Sequence, residues 1–221
     1  MFKKILSYFT PVSIHTEKST VSKSLDINWN NGELVIDSEN TNYSYGHLQH
    51  FLKLGLEAIG FEKVKAMKQV LVLGVAGASV VRTLIDDVQY EGKITGVEID
   101  ANIIKLANKY FNINKIPQLE IVIDDAFEFV FKTKVKYDLI IVDLFQDIQM
   151  PSFVYEIHFR DRICLLLEKN GCILFNTMPL DKKQNLLNET YISSFNKENF
   201  TIKSLPRVEK HNELILIERI D

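Results

Sequence analysis

Small and acidic residues follow a series of short apolar runs in this sequence. The first four runs end in Gly74-Val75-Ala76-Gly77-Ala78-Ser79, Glu98-Ile99-Asp100, Asp124-Asp125-Ala126 and Asp143-Leu144-Phe145-Gln146-Asp147. If the runs are strands of one parallel sheet, their carboxyl ends meet at one edge, where α/β proteins bind their ligands. The sequence therefore predicts a binding cleft lined by these residues.

The turn after the first run is typical of a binding site where the ligand lies close to the backbone. Gly74, Ala76 and Gly77 are small, and a helix beginning near Ser79 would turn its N-terminus toward electron-rich groups. Ala76 stands where G-x-G-x-x-G has its second Gly, so a plain strand-to-helix turn remains an alternative.

Glu98 lies at the spacing from this turn that suits a ribose-binding acid, about 20 residues further on. A carboxylate can accept protons from both ribose hydroxyls. Asp100 precedes a predicted helix at Ala101 and is more typical of a helix cap, which leaves Glu98 as the better ligand. Ile99 belongs to the same predicted binding stretch.

Asp124 and Asp125 are adjacent carboxylates at a strand end, where they repel each other unless a donor compensates. An adenine amino group is a suitable donor, and Ala126 belongs to the same predicted binding stretch. The alternative is that Asp125 caps the helix that follows.

Asp143 ends a fully apolar run, a costly place for a carboxylate that is neither paired nor used. It would face the reacting end of a bound ligand. Asn176-Thr177-Met178-Pro179 follows a fifth apolar run and forms a polar loop on the same rim.

Apolar strands that alternate with amphipathic helices predict an α/β fold with a mostly parallel sheet covered on both faces. Two further runs, at 200–202 and 214–217, predict an antiparallel edge. Asn30-Asn31-Gly32 predicts the turn of a β-hairpin over residues 25–37, ahead of the sheet. Residues 1–24 are polar and aperiodic, and we expect a tail there.

Composition argues against several classes of partner. The net charge of −3 gives no basic footprint for nucleic acid. No run is long enough to span a bilayer, and the N-terminus lacks the features of a signal peptide, so we expect a cytoplasmic protein without a membrane partner. Cys164 and Cys172 are read as small buried hydrophobes rather than as a disulfide or metal ligands. The sequence leaves open whether the chain forms a homodimer.

Several stretches together resemble the spermidine/spermine synthase family of the class I methyltransferase fold, which is Rossmann-like. The most specific is Val97-Glu98-Ile99-Asp100 with the helix through Phe111, which is similar to the family's V-E-I-D and its following helix. The others are Leu119 to Val130, Tyr137 to Asp143, and the hairpin with Tyr43-Ser44-Tyr45-Gly46-His47.

The resemblance implies a transferase with a sulfonium donor, either S-adenosylmethionine or its decarboxylated form, no metal, and a small-molecule acceptor. It implies that Glu98 binds the ribose, that Asp125 binds the adenine amino group, and that Asp143 takes a proton from an attacking amine. Tyr45 would orient that amine. We expect the chain to divide into a tail (1–24), a hairpin and helix (25–60) and a nucleoside-binding catalytic domain (61–221).

The sequence also departs from the family pattern. Gly77 stands where the family's G-G-G-D-G-G has Asp, and Asp124 replaces the Gly of G-D-A. The loop after Asp143 is one residue longer and contains Leu144-Phe145. We therefore expect weak or absent activity with putrescine, and an acceptor with one amine or none and a larger apolar part. An ordinary spermidine synthase and a non-catalytic nucleoside-binding homologue are the alternatives.

Overall fold

The computed structural model describes residues 2–19, 21, 24–37, 42–44, 47–146, 149–205 and 212–220, apart from the side chains of 42–44, 47 and 48. The described residues form two sheets. The smaller is N-terminal and antiparallel, in the order β1 (Val12–Glu17), β2 (Leu25–Asn30), β3 (Glu33–Asp37) and β4 (Asn42–Ser44). Asn31 and Gly32 join β2 to β3 with φ values of 46° and 81°, which confirms the predicted hairpin turn.

The N-terminal segment differs from the predicted tail. It contains α1 (Phe2–Leu6) as well as β1, which pairs with β2 from Val12 opposite Trp29 to Glu17 opposite Leu25. The side chains of β1 are partly buried or exposed, so its apolar residues show no clear period. Its backbone pairing with β2 cannot be seen in the sequence. The domain boundaries at residues 24 and 60 remain a prediction.

The larger sheet has seven strands in the order β10, β11, β9, β8, β5, β6, β7. Five of them are parallel: β5 (Gln69–Leu73), β6 (Lys93–Glu98), β7 (Leu119–Ile123), β8 (Tyr137–Val142) and β9 (Leu167–Thr177). β10 (Phe200–Leu205) and β11 (Glu213–Arg219) form the antiparallel edge. The predicted fold class is confirmed.

Helices cover both faces of the larger sheet. The remaining α-helices are α2 (His47–Ile59), α3 (Phe61–Lys65), α4 (Ser79–Arg82), α5 (Ala101–Phe111), α6 (Ala126–Lys132), α7 (Ile157–Leu165) and α8 (Lys182–Ser193). The predicted helix from Ser79 to Asp87 is α4 followed by a π-helical turn over Thr83–Asp87. The predicted helix from Phe153 to Leu167 is a 3-10 turn over Ser152–Tyr155 followed by α7.

Alternate side chains of the central strands face two separate cores. Val70 and Val72 of β5 pack into one core with α2 and α5, and Leu71 and Leu73 pack into the other with α6 and α7. Both faces of β5 are therefore buried, which is why its sequence is a continuous apolar run. Among the described residues, none of the helices is long and apolar enough to cross a membrane.

Backbone hydrogen bonds align the carboxyl ends of the central strands. Gly74 donates to the Val97 carbonyl, Asp124 to the Glu98 carbonyl, and Asp143 to the Leu73 carbonyl, at 2.9 to 3.2 Å. The chain leaves β5 toward β6 on one side and returns through β8 on the other, so the strand order reverses beside β5. Ligands of open α/β sheets bind at such a point.

Candidate active site

A cleft opens at the carboxyl ends of β5 to β9. Most of the residues predicted to bind or react line it: Gly74, Ala76, Glu98, Ile99, Asp124, Asp125, Ala126 and Asp143. Gly77 does not line the cleft, since it is buried within the turn after β5. Tyr45 and Asp147 lie outside the described residues. The geometry therefore brings together eight of the ten predicted residues, while their roles remain proposals.

The turn after β5 holds three residues in the left-handed region, with φ values of 87° at Gly74, 46° at Ala76 and 65° at Ala78. This conformation costs an alanine about 1–2 kcal/mol, because its Cβ crowds the backbone. A turn strained in this way persists only where its surroundings hold it in place.

Glu98 is the group that holds the turn. Its Oε2 accepts hydrogen bonds from the backbone N–H of Val75 (3.1 Å) and Ala76 (3.0 Å), and its Oε1 accepts from the N–H of Asp100 (3.0 Å). Burial raises the pKa of this carboxyl, and the three hydrogen bonds act against that rise. Three of its roughly four acceptor positions are occupied by backbone, so Glu98 shapes the turn and retains limited capacity for a ligand.

Asp100 caps α5, as the sequence indicated, since its Oδ1 accepts from the N–H of Asn102 at 2.9 Å. Its Oδ2 accepts from the Ser19 hydroxyl at 2.6 Å. Ser19 and Val21 thereby reach the cleft from the N-terminal segment, and both line it. Sequence reasoning missed them because Ser19 and Asp100 are 81 residues apart in the chain, and no local pattern marks the contact.

Asp125 caps α6, with its Oδ1 accepting from the N–H groups of Phe127 (2.7 Å) and Glu128 (3.2 Å). The capping alternative for Asp125 is therefore correct, and it does not exclude binding because the residue also lines the cleft. The Asp124 carboxylate accepts from the N–H of Asp125 and lies 3.4 Å from the Lys132 ammonium. That ion pair compensates the repulsion between the neighbouring acids.

Asp143 is the other carboxylate of the cleft whose surroundings raise its pKa. Its surroundings together raise its pKa from 3.8 to about 6: burial raises it, a hydrogen bond from Asn176 lowers it, and the field of Glu98 raises it. Asn176 donates from Nδ2 to Asp143 Oδ1 at 2.8 Å, and Asn212 donates to Asn176 Oδ1 at 3.1 Å. A carboxylate with a pKa near neutrality is suited to proton transfer.

The half of the cleft beside Asp143 is largely apolar. Its side chains come from the loop after β8 and from the end of β9: Leu144, Phe145, Pro151, Phe153 and Met178. Phe153 packs edge-on against Phe127 and Phe159, with ring centroids 5.5 and 5.0 Å away. The other described carboxylates of the cleft follow β6 and β7 instead. The cleft therefore has an acidic half at β6 and β7 and an apolar half with amide groups at β8 and β9.

Comparison with known proteins identifies the class to which this fold and site belong. The model of the spermine/spermidine synthase domain matches residues 52–205, most of the chain. The chain therefore belongs to the spermine/spermidine synthase family.

Individual relatives agree with this family. The chain is 36% identical over 132 residues to a polyamine aminopropyltransferase of Buchnera aphidicola, covering 57% of this chain and 45% of the relative. It is 26% identical over 186 residues to one from Saccharolobus solfataricus, covering 73% and 61%. The chain thus matches less than two thirds of either relative's length.

A solved structure shows the same fold. The spermidine synthase of Thermotoga maritima superposes with a TM-score of 0.72 at 21% identity, covering 95% of this chain and 73% of that one. At this identity the likeness concerns the fold alone.

Proposed function

We propose that this protein transfers an aminopropyl group from decarboxylated S-adenosylmethionine to a primary amine. The observation that carries the proposal is the Asp143 carboxylate, which lines the cleft at the strand-order reversal and has a pKa raised to about 6. Membership of the spermine/spermidine synthase family and relatives named as polyamine aminopropyltransferases support it.

The acidic half of the cleft suits the nucleoside part of the donor. Glu98 offers its remaining acceptor capacity to a ribose hydroxyl, and Asp125 at the start of α6 offers a carboxylate to the adenine amino group. Ile99, with 47% of its surface exposed, supplies an apolar face for the base. The small residues Gly74 and Ala76 leave room for the donor to lie along the turn.

The reaction needs one proton acceptor and accurate positioning. The amine nitrogen attacks the propyl carbon bound to sulfur, the carbon–sulfur bond breaks, and 5′-methylthioadenosine leaves with the bond's electron pair. The sulfonium becomes a neutral thioether, and the attacking nitrogen gains a positive charge. Asp143 takes a proton from this nitrogen, so that no charged amine has to remain in the apolar half of the cleft.

The experiment supplies the purified protein with either donor and a panel of amines, and measures the release of two products. Aminopropyl transfer releases 5′-methylthioadenosine, whereas methyl transfer from S-adenosylmethionine releases S-adenosylhomocysteine. Methylthioadenosine formed only when both the decarboxylated donor and an amine are present supports the proposal. Release of S-adenosylhomocysteine alone, or of neither product, contradicts it.

A further inference from the structure

Two asparagine side chains form a chain of hydrogen bonds that ends on the Asp143 carboxylate. The nearer, Asn176, comes from β9, and its side chain is fully buried. It donates to Asp143 Oδ1 at 2.8 Å and accepts on its own Oδ1 from Asn212 at 3.1 Å. Asn212 directly precedes β11, the strand that lies next to β9 in the sheet.

We infer that Asn176 is a positioning residue for Asp143, and that Asn212 fixes the orientation of its amide. The inference rests on the proposed function and deepens it. An amide has a donor end and an acceptor end. Because Asn212 donates to the Asn176 oxygen, the Asn176 NH₂ group must face Asp143. Asp143 Oδ1 is then held by Asn176, and Oδ2 is directed to the amine.

The arrangement also favours the ionised state that a base needs. Among the described residues, the groups that face Asp143 include the Glu98 carboxylate at the end of β6, the Asn176 amide from β9, and apolar side chains of its own loop. The backbone of Gly74, just after β5, lies close to the Asp143 carbonyl. Burial and Glu98 both disfavour the charged carboxylate, and the Asn176 amide is the group that favours it.

If Asn176 had only a structural role, its loss would lower stability without changing the ionisation of Asp143. Asn188 provides the comparison, since it is another buried asparagine whose amide donates to a carboxylate. It donates to Thr177 Oγ1 at 2.8 Å and to Glu213 Oε2 at 2.7 Å, and it does not line the cleft. Loss of either amide should lower stability, whereas only loss of the Asn176 amide should change the ionisation of Asp143.

The test compares Asn176→Leu, Asn212→Ala and Asn188→Leu with the wild type in the full-length protein, measuring kcat and the KM of the amine from pH 5 to pH 9. We expect the acid limb of kcat to move up by about one pH unit in Asn176→Leu, the size of a lost hydrogen bond to a charged group. A smaller upward movement is expected in Asn212→Ala and none in Asn188→Leu. The KM of the amine at high pH should change less than twofold, since about the same contacts to it remain.

Three results decide the matter. The inference is supported if the acid limb of the kcat profile moves to higher pH in Asn176→Leu and Asn212→Ala but not in Asn188→Leu. An active wild type whose limb stays in place in both site variants overturns the inference alone. A wild type that transfers from neither donor overturns the proposed function and the inference with it. If Asn176→Leu does not fold, as judged by thermal denaturation, Asn212→Ala still decides, because its side chain is at the outer end of the line.

Discussion

The backbone carbonyl of Asp143 occupies the position that a side chain on residue 74 would need. A Cβ added to Gly74 would overlap the Asp143 oxygen and carbonyl carbon. Gly74 also has a φ of 87°, which side-chain-bearing residues rarely adopt. The ends of β5 and β8 can approach this closely only because residue 74 is glycine, and the approach sets where the Asp143 carboxylate enters the cleft.

Gly74→Ala should therefore lower both stability and transfer activity. Backbone overlap adds to the strain of positive φ, and we expect a loss of about 2–4 kcal/mol in the free energy of unfolding. Gly60→Ala is the matched control, because Gly60 has a φ of 100° but open space around its Cβ position. Denaturant unfolding of both variants measures the difference. Equal losses would show that the contact with Asp143 is unimportant.

Glu98→Ala should weaken binding of 5′-methylthioadenosine by about 1–3 kcal/mol, since a ribose hydroxyl loses a charged partner and the turn loses its acceptor. Isothermal titration calorimetry measures the affinity. Glu120→Ala serves as control, because Glu120 is an exposed acid on β7 that pairs with Lys93 outside the cleft. Affinity unchanged by Glu98→Ala would remove Glu98 from the site.

Asp143→Asn should stabilise the protein while slowing transfer about 100-fold or more. The folded-state pKa of Asp143 lies above its ordinary value, so the folded protein binds the proton more tightly than the unfolded chain. The contribution of Asp143 to stability is then present at low pH and is lost as the pH rises from about 4 to about 6. We expect the variant to exceed the wild type by about 1–3 kcal/mol at pH 8 and to equal it near pH 4.

Thermal and denaturant unfolding at the two pH values check this prediction. A variant that is less stable than the wild type at pH 8 would show that the carboxylate is stabilised by its surroundings, contrary to the effect of burial described above. Stability given up for a reactive group is a general feature of active sites.

The acceptor is predicted to carry one amine and an apolar remainder. Desolvating both ammonium groups of a diamine requires a carboxylate at each end, whereas the described cleft residues beside Asp143 are apolar or carry amides. Pentylamine and putrescine have nearly the same length and differ in the second ammonium. We expect a higher kcat/KM for pentylamine. Faster methylthioadenosine release with putrescine would contradict the prediction and indicate a second carboxylate, for which Asp147 is the nearest candidate in the sequence.

Much of the fold could be predicted because the buried strands are continuous apolar runs. β5, β8 and β11 were marked in this way, and the Asn31-Gly32 turn identified the hairpin. The helix after β5 was predicted with the right extent but not its change to a π-helical turn, which depends on packing rather than on local sequence.

The candidate site was predictable only where its residues directly follow strands. Glu98, Asp125 and Asp143 could be found because a strand end is visible in the sequence. Ser19 and Asn212 could not, because they reach the cleft from the N-terminal segment and from the edge of the sheet. The two hydrogen bonds by which Glu98 holds the turn, and the third that it accepts from Asp100, were likewise invisible, since they involve backbone N–H groups that nearly every residue carries.

The most direct test of the central claim measures 5′-methylthioadenosine release from decarboxylated S-adenosylmethionine, with an amine panel, by the wild type and by Asp143→Asn. The account predicts amine-dependent release by the wild type and a rate lowered about 100-fold or more in the variant, the usual contribution of a general base. The variant should remain folded and still bind methylthioadenosine. Equal rates in the two proteins, or no release by the wild type with any amine, would contradict it.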